Sequence, residues 1–355
     1  MGKPTIGFLG TGMMGQLAHL ANYARLRDQG LCEIAGVTDL KPGLAEAVAA
    51  KYGIAHIYPD AEALLADPRV DAVVCIQQWR DNYPLVKRVL QAGKSVLTEK
   101  PMVGRRDEAE ELVALAKEKG VLYAVGFMKR YDTGVEMALQ MIAGFRQSLE
   151  LGPLLTVDAL CDGGDWLHNV EMPLSVPVAA PIPSAAPTYP DGCDTPAQRD
   201  AYGYLVNIFS HNINLVHYLL GEAMDPRFAQ FRGDRAMTCE ARAGGALITV
   251  RGANSSSYDW REWTTCAFAQ GEVRLKTPSP MNRQRSAEVS VLRKGPGGYT
   301  TLHYHAPVGW SFYRQAEGFV RALAGEEPLH APAETCLWDV RAMEKIIQIA
   351  EIVTP

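Results

Sequence analysis

From Ile6 to about Phe127, short apolar runs alternate with longer stretches in which apolar side chains recur every three or four residues. Runs of Val, Ile and Leu without polar alternation suit strands buried on both faces. Five are predicted: Ile6–Leu9, Glu33–Thr38, Ala72–Ile76, Ser95–Thr98 and Leu122–Phe127. Between them Leu44–Tyr52, Ala61–Leu65, Pro84–Ala92 and Arg106–Lys119 have helical spacing, and Gly93 and Gly120 stand where helices should stop. Strands alternating with helices mark βαβ units, so this half reads as a doubly wound parallel sheet.

The texture changes after Tyr131. A helix is predicted to about Glu150, stopped by Gly152-Pro153 ahead of a strand at Leu154–Leu160. Residues 163–200 hold Pro173, Pro177, Pro181, Pro183, Pro187, Pro190 and Pro196 and show no period. They read as one long loop, and such loops inside a domain are usually functional or mobile. Helical spacing returns over Asn207–Leu220 and ends at Gly221. Phe228–Arg232, Met237–Arg242, Leu247–Arg251, Trp263–Phe268, Val273–Leu275 and Val289–Leu292 follow as short strands between Gly, Asn and Ser turns. They predict a large, mostly antiparallel open sheet. Trp310–Leu323 and Thr335–Ile352 close the chain as helices. The expected organisation is an α/β domain over residues 1–130 and an α+β domain over 131–355, with the final helices packing back on the first.

Length agrees, since 355 residues exceed one ordinary core. Lys plus Arg number 35 against 40 Asp plus Glu, interspersed, which argues against nucleic acid or an anionic membrane as partner. The seven cysteines are odd in number and widely spaced, as expected of reduced thiols in the cytoplasm. With no C-x-x-C or H-E-x-x-H pattern, no metal site is expected. No apolar stretch approaches the roughly 20 residues that span a bilayer. The N-terminal apolar run stops at Gly10 without a cleavage site, and reads as a first strand rather than a signal peptide.

Gly10-Thr11-Gly12-Met13-Met14-Gly15 directly follows the first predicted strand and opens a helix, the context that gives this pattern its meaning. Such glycines allow a tight turn and close approach of backbone to a pyrophosphate, whose charge meets the N–H groups and dipole of the helix start. This is the signature of a Rossmann dinucleotide-binding domain. Asp39 ends the second strand, where a carboxylate binds both hydroxyls of the adenine ribose. An acid there repels a 2′-phosphate, so NAD is expected over NADP, although Lys41 stands close enough to soften the exclusion.

Two further strand ends, Thr98-Glu99-Lys100-Pro101 and Gly126-Phe127-Met128-Lys129-Arg130-Tyr131-Asp132, together with Ser210-His211-Asn212-Ile213-Asn214-Leu215, complete a set. With it the chain resembles the Gfo/Idh/MocA family of glucose-fructose oxidoreductases and inositol dehydrogenases, least between residues 163 and 205. The resemblance implies a Rossmann domain and an open-sheet domain that often forms an oligomer interface, hence a homodimer or homotetramer. It also implies reversible hydride transfer between nicotinamide and a hydroxyl carbon of a sugar, sugar derivative or cyclitol. That chemistry needs a base for the hydroxyl proton, a cation for the alkoxide and a rigid platform.

Lys100, at a strand's C-terminal end before Pro101, suits the cation. His211 matches the family's catalytic histidine, and imidazole suits proton transfer near neutral pH. Four residues earlier many members carry an aspartate where this chain has Asn207, and an amide cannot share a proton or stabilise an imidazolium by charge. After the third strand, Ile76-Gln77-Gln78-Trp79-Arg80-Asp81-Asn82-Tyr83 replaces the more usual Thr-Pro-Asn-x-x-His; Gln77 and Trp79 are expected beside the nicotinamide ribose, and Ile76, Glu99 and Lys100 are further cofactor-binding candidates. Lys129, Arg130, Tyr131, Asp162, Trp166 and His168 join Lys100, Asn207 and His211 as substrate-binding candidates, since polyhydroxylated rings take charged donors, acceptors and aromatic faces. Lys129 and Arg130 have the alternative of pairing with Asp132 or a neighbouring helix, and Trp166 of loop packing. His303 and His305 read as surface or interface residues. Two other activities fit the same residues: a glycosidase that oxidises a hydroxyl transiently and eliminates, and a silent NAD-binding sensor. The whole enzymatic expectation depends on Lys100 and His211 meeting over one dinucleotide.

Overall fold

The computed structural model describes residues 2–168, 170–177, 182, 184–255, 257 and 259–353. The chain divides into two compact units. One comprises residues 1–126, 170–188 and 312–337, the other 127–169, 189–311 and 338–355. The division is therefore not the single cut near residue 130 that periodicity suggests. Residues 312–337, which hold nearly all of the penultimate helix and only the start of the last one, group with the N-terminal unit, and so does the middle of the proline-rich excursion.

The first unit is built on β1 (Thr5–Leu9), β2 (Glu33–Thr38), β3 (Ala72–Cys75), β4 (Ser95–Thr98) and β5 (Tyr123–Val125), all parallel in the order β2-β1-β3-β4-β5. β3 and β4 are buried at every residue, which is why β3 reads as an unbroken apolar run and β4 has Val96 and Leu97 at its centre. Helices α1 (Ala21–Asp28), α2 (Leu44–Tyr52), α3 (Ala61–Ala66), α4 (Trp79–Gln91) and α5 (Arg106–Lys119) connect them. A π-helical stretch, Gly15–Leu20, precedes α1. Helix α4 starts at Trp79 instead of Pro84, because the proline sits inside it rather than at the first-turn position where prolines usually mark a helix start. Ile6, Phe8, Leu20, Tyr23 and Val37 share a core with residues contributed much later in the chain, Ala316, Phe319 and Val320.

The second unit opens with a 3₁₀ turn, Met128–Tyr131, and α6 (Thr133–Ser148), then β6 (Leu154–Gly163). The excursion is not all loop: Thr195 and Gln198 form a capping box and Pro196 occupies the first turn of α7 (Pro196–Tyr204). A π turn, Leu205–Phe209, leads into α8 (Ser210–Leu220). Strands β7 (Asp225–Arg232), β8 (Ala236–Ala243), β9 (Ala246–Ala253), β10 (Arg261–Phe268), β11 (Gly271–Lys276), β12 (Glu288–Gly295) and β13 (Gly298–His305) follow. After α9 (Ser311–Leu323), α10 (Ala333–Ile349) stops three residues before the predicted Ile352, and β14 (Ala350–Val353) pairs in parallel with β7. The nine-stranded sheet runs β13-β12-β11-β10-β6-β9-β8-β7-β14 and is mostly antiparallel, with β6–β9 the other parallel pair. Helix α6 packs on β11 and β12, and α8 on β6, so one face of the sheet is covered and the strands alternate buried and exposed residues.

Candidate active site

In the first unit the strand order reverses at β1, and ligands of such sheets bind outside the carboxyl ends of the strands flanking that point. The glycine turn lies there. Gly10 has φ +98°, and a Cβ on it would stand 2.6 Å from the Ile76 carbonyl oxygen that follows β3, so only glycine fits. A Cβ on Gly12 would meet nothing within 4 Å: what glycine spares there is room outside the protein, not an internal contact. The helix that follows presents N–H groups without intrahelical partners to that space. This arrangement fits the pyrophosphate of a dinucleotide. Met13 is exposed.

Asp39 fastens the turn. Its Oδ2 accepts from the Thr11 amide (2.6 Å) and hydroxyl (2.9 Å), and its Oδ1 from the Lys41 amide (2.8 Å). A carboxylate offers about four acceptor sites, so the capacity left for a ribose is small and directional. Gln77 donates through Nε2 to the Leu9 carbonyl (2.9 Å), folding back on the strand before the turn. The Trp79 ring lies against Gly104, where a Cβ would come within 2.5 Å of its Cζ3.

The Glu99-Lys100-Pro101 turn leaves β4 at the same strand-end edge. Asn82, fully buried in α4, donates from Nδ2 to the carbonyls of Glu99 (3.3 Å) and Pro101 (3.0 Å), bracketing half-buried Lys100. Glu99 is itself buried. Its Oε1 lies 2.6 Å from His19 Nε2, and its Oε2 accepts from the Lys100 amide (3.3 Å). Burial pushes the Glu99 carboxyl up, but the His19 hydrogen bond and the positive charges of His19 and Lys100 together hold it below the ordinary glutamate value. Periodicity did not single out His19 or Asn82. The only signal was a polar side chain set among apolar ones, as His19 is between Ala18 and Leu20.

In the second unit, His211 is the second residue of α8, half-buried, its ring edge-on to Phe127 at 5.9 Å. Lys129 and Arg130 both have protein partners. Lys129 pairs with Glu262, which also accepts from Asn212 Nδ2 (3.0 Å) and Trp260 Nε1 (3.0 Å). Arg130 donates to Asn214 Oδ1 (2.8 Å) and its guanidinium sits 4.9 Å from the Tyr218 ring. Asn214 in turn donates to Asp339 (2.6 Å), whose other oxygen lies 2.7 Å from His217 Nδ1. These buried contacts bolt the 128–131 turn, which also carries buried Tyr131, to the helix bearing His211. Asp132 caps α6 instead, accepting from Gly134, Val135 and Ala287 amides; burial raises its carboxyl and those bonds partly offset the rise.

The remaining candidates are less enclosed. Asn207 is exposed in the π turn, so the four residues separating it from His211 are not an α-helical turn. Half-buried Asp162 pairs with Arg261 (2.8 Å), Trp166 is half-buried, and exposed His168 stands 3.7 Å from Asp165. Among the described residues no group of three or more His, Cys, Asp or Glu could hold a metal ion, and no helix is long and apolar enough to cross a membrane.

Residues 5–127 match the model of Gfo/Idh/MocA, described as an oxidoreductase family with an NAD-binding Rossmann fold. The chain is 35% identical over 133 residues to an inositol 2-dehydrogenase/D-chiro-inositol 3-dehydrogenase of Lacticaseibacillus casei, covering 37% of each protein. It is 28% identical over 179 residues to a UDP-N-acetylglucosamine 3-dehydrogenase of Acidithiobacillus ferrooxidans, covering 48% of this chain and 55% of that one. These matches span roughly a third to a half of the relatives' length. A 3-ketoreductase from Actinomadura kijaniata, solved with NADP and TDP-benzene, shares the fold over 99% of both chains with a TM-score of 0.76 at 18% identity.

Proposed function

From an N-terminal domain that belongs to the Gfo/Idh/MocA oxidoreductases, we infer that the chain is a dehydrogenase that transfers a hydride between a nicotinamide dinucleotide and a secondary hydroxyl carbon of a sugar, sugar derivative or cyclitol. The observation that carries this reading is the edge formed by three neighbouring parallel strands. The glycine turn follows β1, Ile76 and Gln77 follow β3, and the pinned Glu99-Lys100 turn follows β4. A cofactor seated on the glycine turn extends along that edge toward an ammonium.

When bound, the nicotinamide supplies or accepts the hydride. Lys100 hydrogen-bonds the reacting oxygen through Nζ and favours its ionised form. His211 takes the hydroxyl proton in the oxidative direction and returns it in the reductive one. Lys129, Arg130 and Glu262 hold the turn and helix around His211 rather than offering open charges to substrate. Asp39 favours NAD, because its carboxylate repels a 2′-phosphate. The relatives named above act on an inositol and on a nucleotide-linked amino sugar, both polyhydroxylated rings with secondary hydroxyls.

The test is reduction of NAD and, separately, NADP by purified protein given inositols, free sugars and UDP-sugars, followed by the absorbance of reduced nicotinamide. Net reduction with at least one ring polyol is expected. Lys100→Met should remove most turnover, about 10²-fold or more for a group that stabilises developing charge, while cofactor affinity stays within a small factor. Turnover of Lys100→Met at the normal rate would remove the reading.

A further inference from the structure

We propose that His19 is a positioning residue for Lys100, acting through the Glu99 carboxylate to hold an anion beside the ammonium. The proposal rests on the oxidoreductase reading above and names a residue on the cofactor-binding helix that the reaction itself does not require.

His19 lies in the π-helical stretch that begins at Gly15, four residues beyond the last glycine of the turn. Its side chain is almost fully buried, 2% exposed, with the Phe312 ring edge-on at 6.2 Å. A buried imidazole requires partners, and its Nε2 meets Glu99 Oε1 at 2.6 Å. An ionised carboxylate only accepts, so Nε2 carries the hydrogen and donates it. Glu99 then presents Oε2 to the backbone amide of Lys100, while Asn82 holds the carbonyls on either side. The residue expected to touch the reacting oxygen is thus fixed by its own backbone, and that backbone is tied to the helix expected to carry the pyrophosphate.

The electrostatics give the arrangement a direction. For Glu99 the largest single influence is burial, which favours the neutral acid; the His19 hydrogen bond and nearby positive charge overcome it. Without His19, its hydrogen bond and its charge no longer oppose burial, which then shifts Glu99 toward the neutral acid. A carboxyl shifted that way does less to favour the ammonium form of Lys100. A neutral amine stabilises an alkoxide far less than an ammonium does.

Four full-length variants test this: His19→Leu, His19→Gln, Glu99→Gln and Lys100→Met. The activity readout is kcat and KM with myo-inositol or UDP-N-acetylglucosamine, whichever reduces the cofactor. A second readout is independent of activity: the rate at which an amine reagent labels Lys100 in cofactor-free protein, followed by peptide mass spectrometry. His19→Leu should lower kcat about 10²-fold, with KM for the polyol and NADH affinity within about threefold. It should speed Lys100 labelling severalfold, as should Glu99→Gln. His19→Gln, whose amide reaches about as far as Nε2, should recover at least tenfold of the lost kcat. His19→Leu added to Lys100→Met should cost nothing further. Normal kcat and normal labelling in His19→Leu, with Lys100→Met inactive, would overturn the proposal and leave the oxidoreductase reading standing. Equal losses in kcat and NADH affinity with unchanged labelling would overturn it too, as the mark of a purely structural residue. Normal turnover of Lys100→Met would sink both.

Discussion

At Asp39 a single carboxylate is committed to the protein before any cofactor arrives, holding the Thr11 amide, the Thr11 hydroxyl and the Lys41 amide. Substitutions there separate two roles. Asp39→Asn keeps a carbonyl oxygen for the Thr11 amide and removes the charge, so kcat/KM with NADP relative to NAD should rise about tenfold, some 1.4 kcal/mol. Asp39→Ala also frees the turn, and KM should rise for both cofactors. Initial rates with each cofactor decide it, and an unchanged ratio in Asp39→Asn would mean the ribose is read elsewhere. The acid itself was legible, because a strand-end carboxylate after a glycine turn is a pattern of spacing. Its bonds to Thr11, 28 residues away, were not, since they depend on how closely β1 and β2 lie. The same limit hid His19 and Glu262. Each is a polar residue whose partner is 80 or more residues off, His19 with Glu99 and Glu262 with Lys129, and local periodicity carries no trace of a partner that far along the chain.

Among the elements, those with a strong period were legible and those with irregular hydrogen bonding were not. Parallel strands such as β3 and β4 fall within a residue of their predicted limits because burial on both faces favours short runs centred on apolar residues. The π turns at Gly15–Leu20 and Leu205–Phe209 pass for α-helix in sequence, since an i→i+5 pattern adds no compositional mark. The first contains His19, and the second ends two residues before His211. The proline-rich excursion was legible only as an interruption. Its described residues 170–177 and 184–188 belong to the first unit, and Gln16 shows how they are held there. Its Nε2 donates to the carbonyls of Thr11 (3.0 Å) and Leu174 (3.0 Å), and its Oε1 accepts from the Leu174 amide (2.8 Å). Further along, Asp81 accepts from Ser184 and Ala185, and Glu108 from Thr188. One amide therefore joins the glycine turn to this segment. Gln16→Ala should cost about 1–3 kcal/mol of stability, as buried groups lose their partners, and should speed NADH release severalfold through the loosened turn. Stopped-flow displacement of NADH measures the latter; an unchanged rate alongside lowered stability would mean the segment only braces the helix.

The whole molecule is interleaved rather than strung out, and its unfolding should reflect that. The first unit needs residues 312–337 because Phe319, Val320 and Ala316 of α9 complete the core around Ile6, Phe8 and Tyr23. A fragment ending near residue 130 contains every nucleotide-binding candidate yet leaves that apolar surface in water, so it should lack a cooperative urea transition and bind NADH far more weakly than the full chain. Within the full chain, Phe319→Ala should cost about 3–5 kcal/mol, the usual range for emptying an aromatic site in a core. The proposed dinucleotide site forms only in the folded first unit, so NADH at a hundred times its Kd should return about 2.7 kcal/mol of this. The variant should therefore gain several degrees of Tm on adding NADH, as should the normal chain, at a concentration scaled to its own Kd. If NADH instead stabilises the fragment as much as the full chain, α9 is dispensable to the dinucleotide fold. The core described here would then be packing added around a domain complete without it.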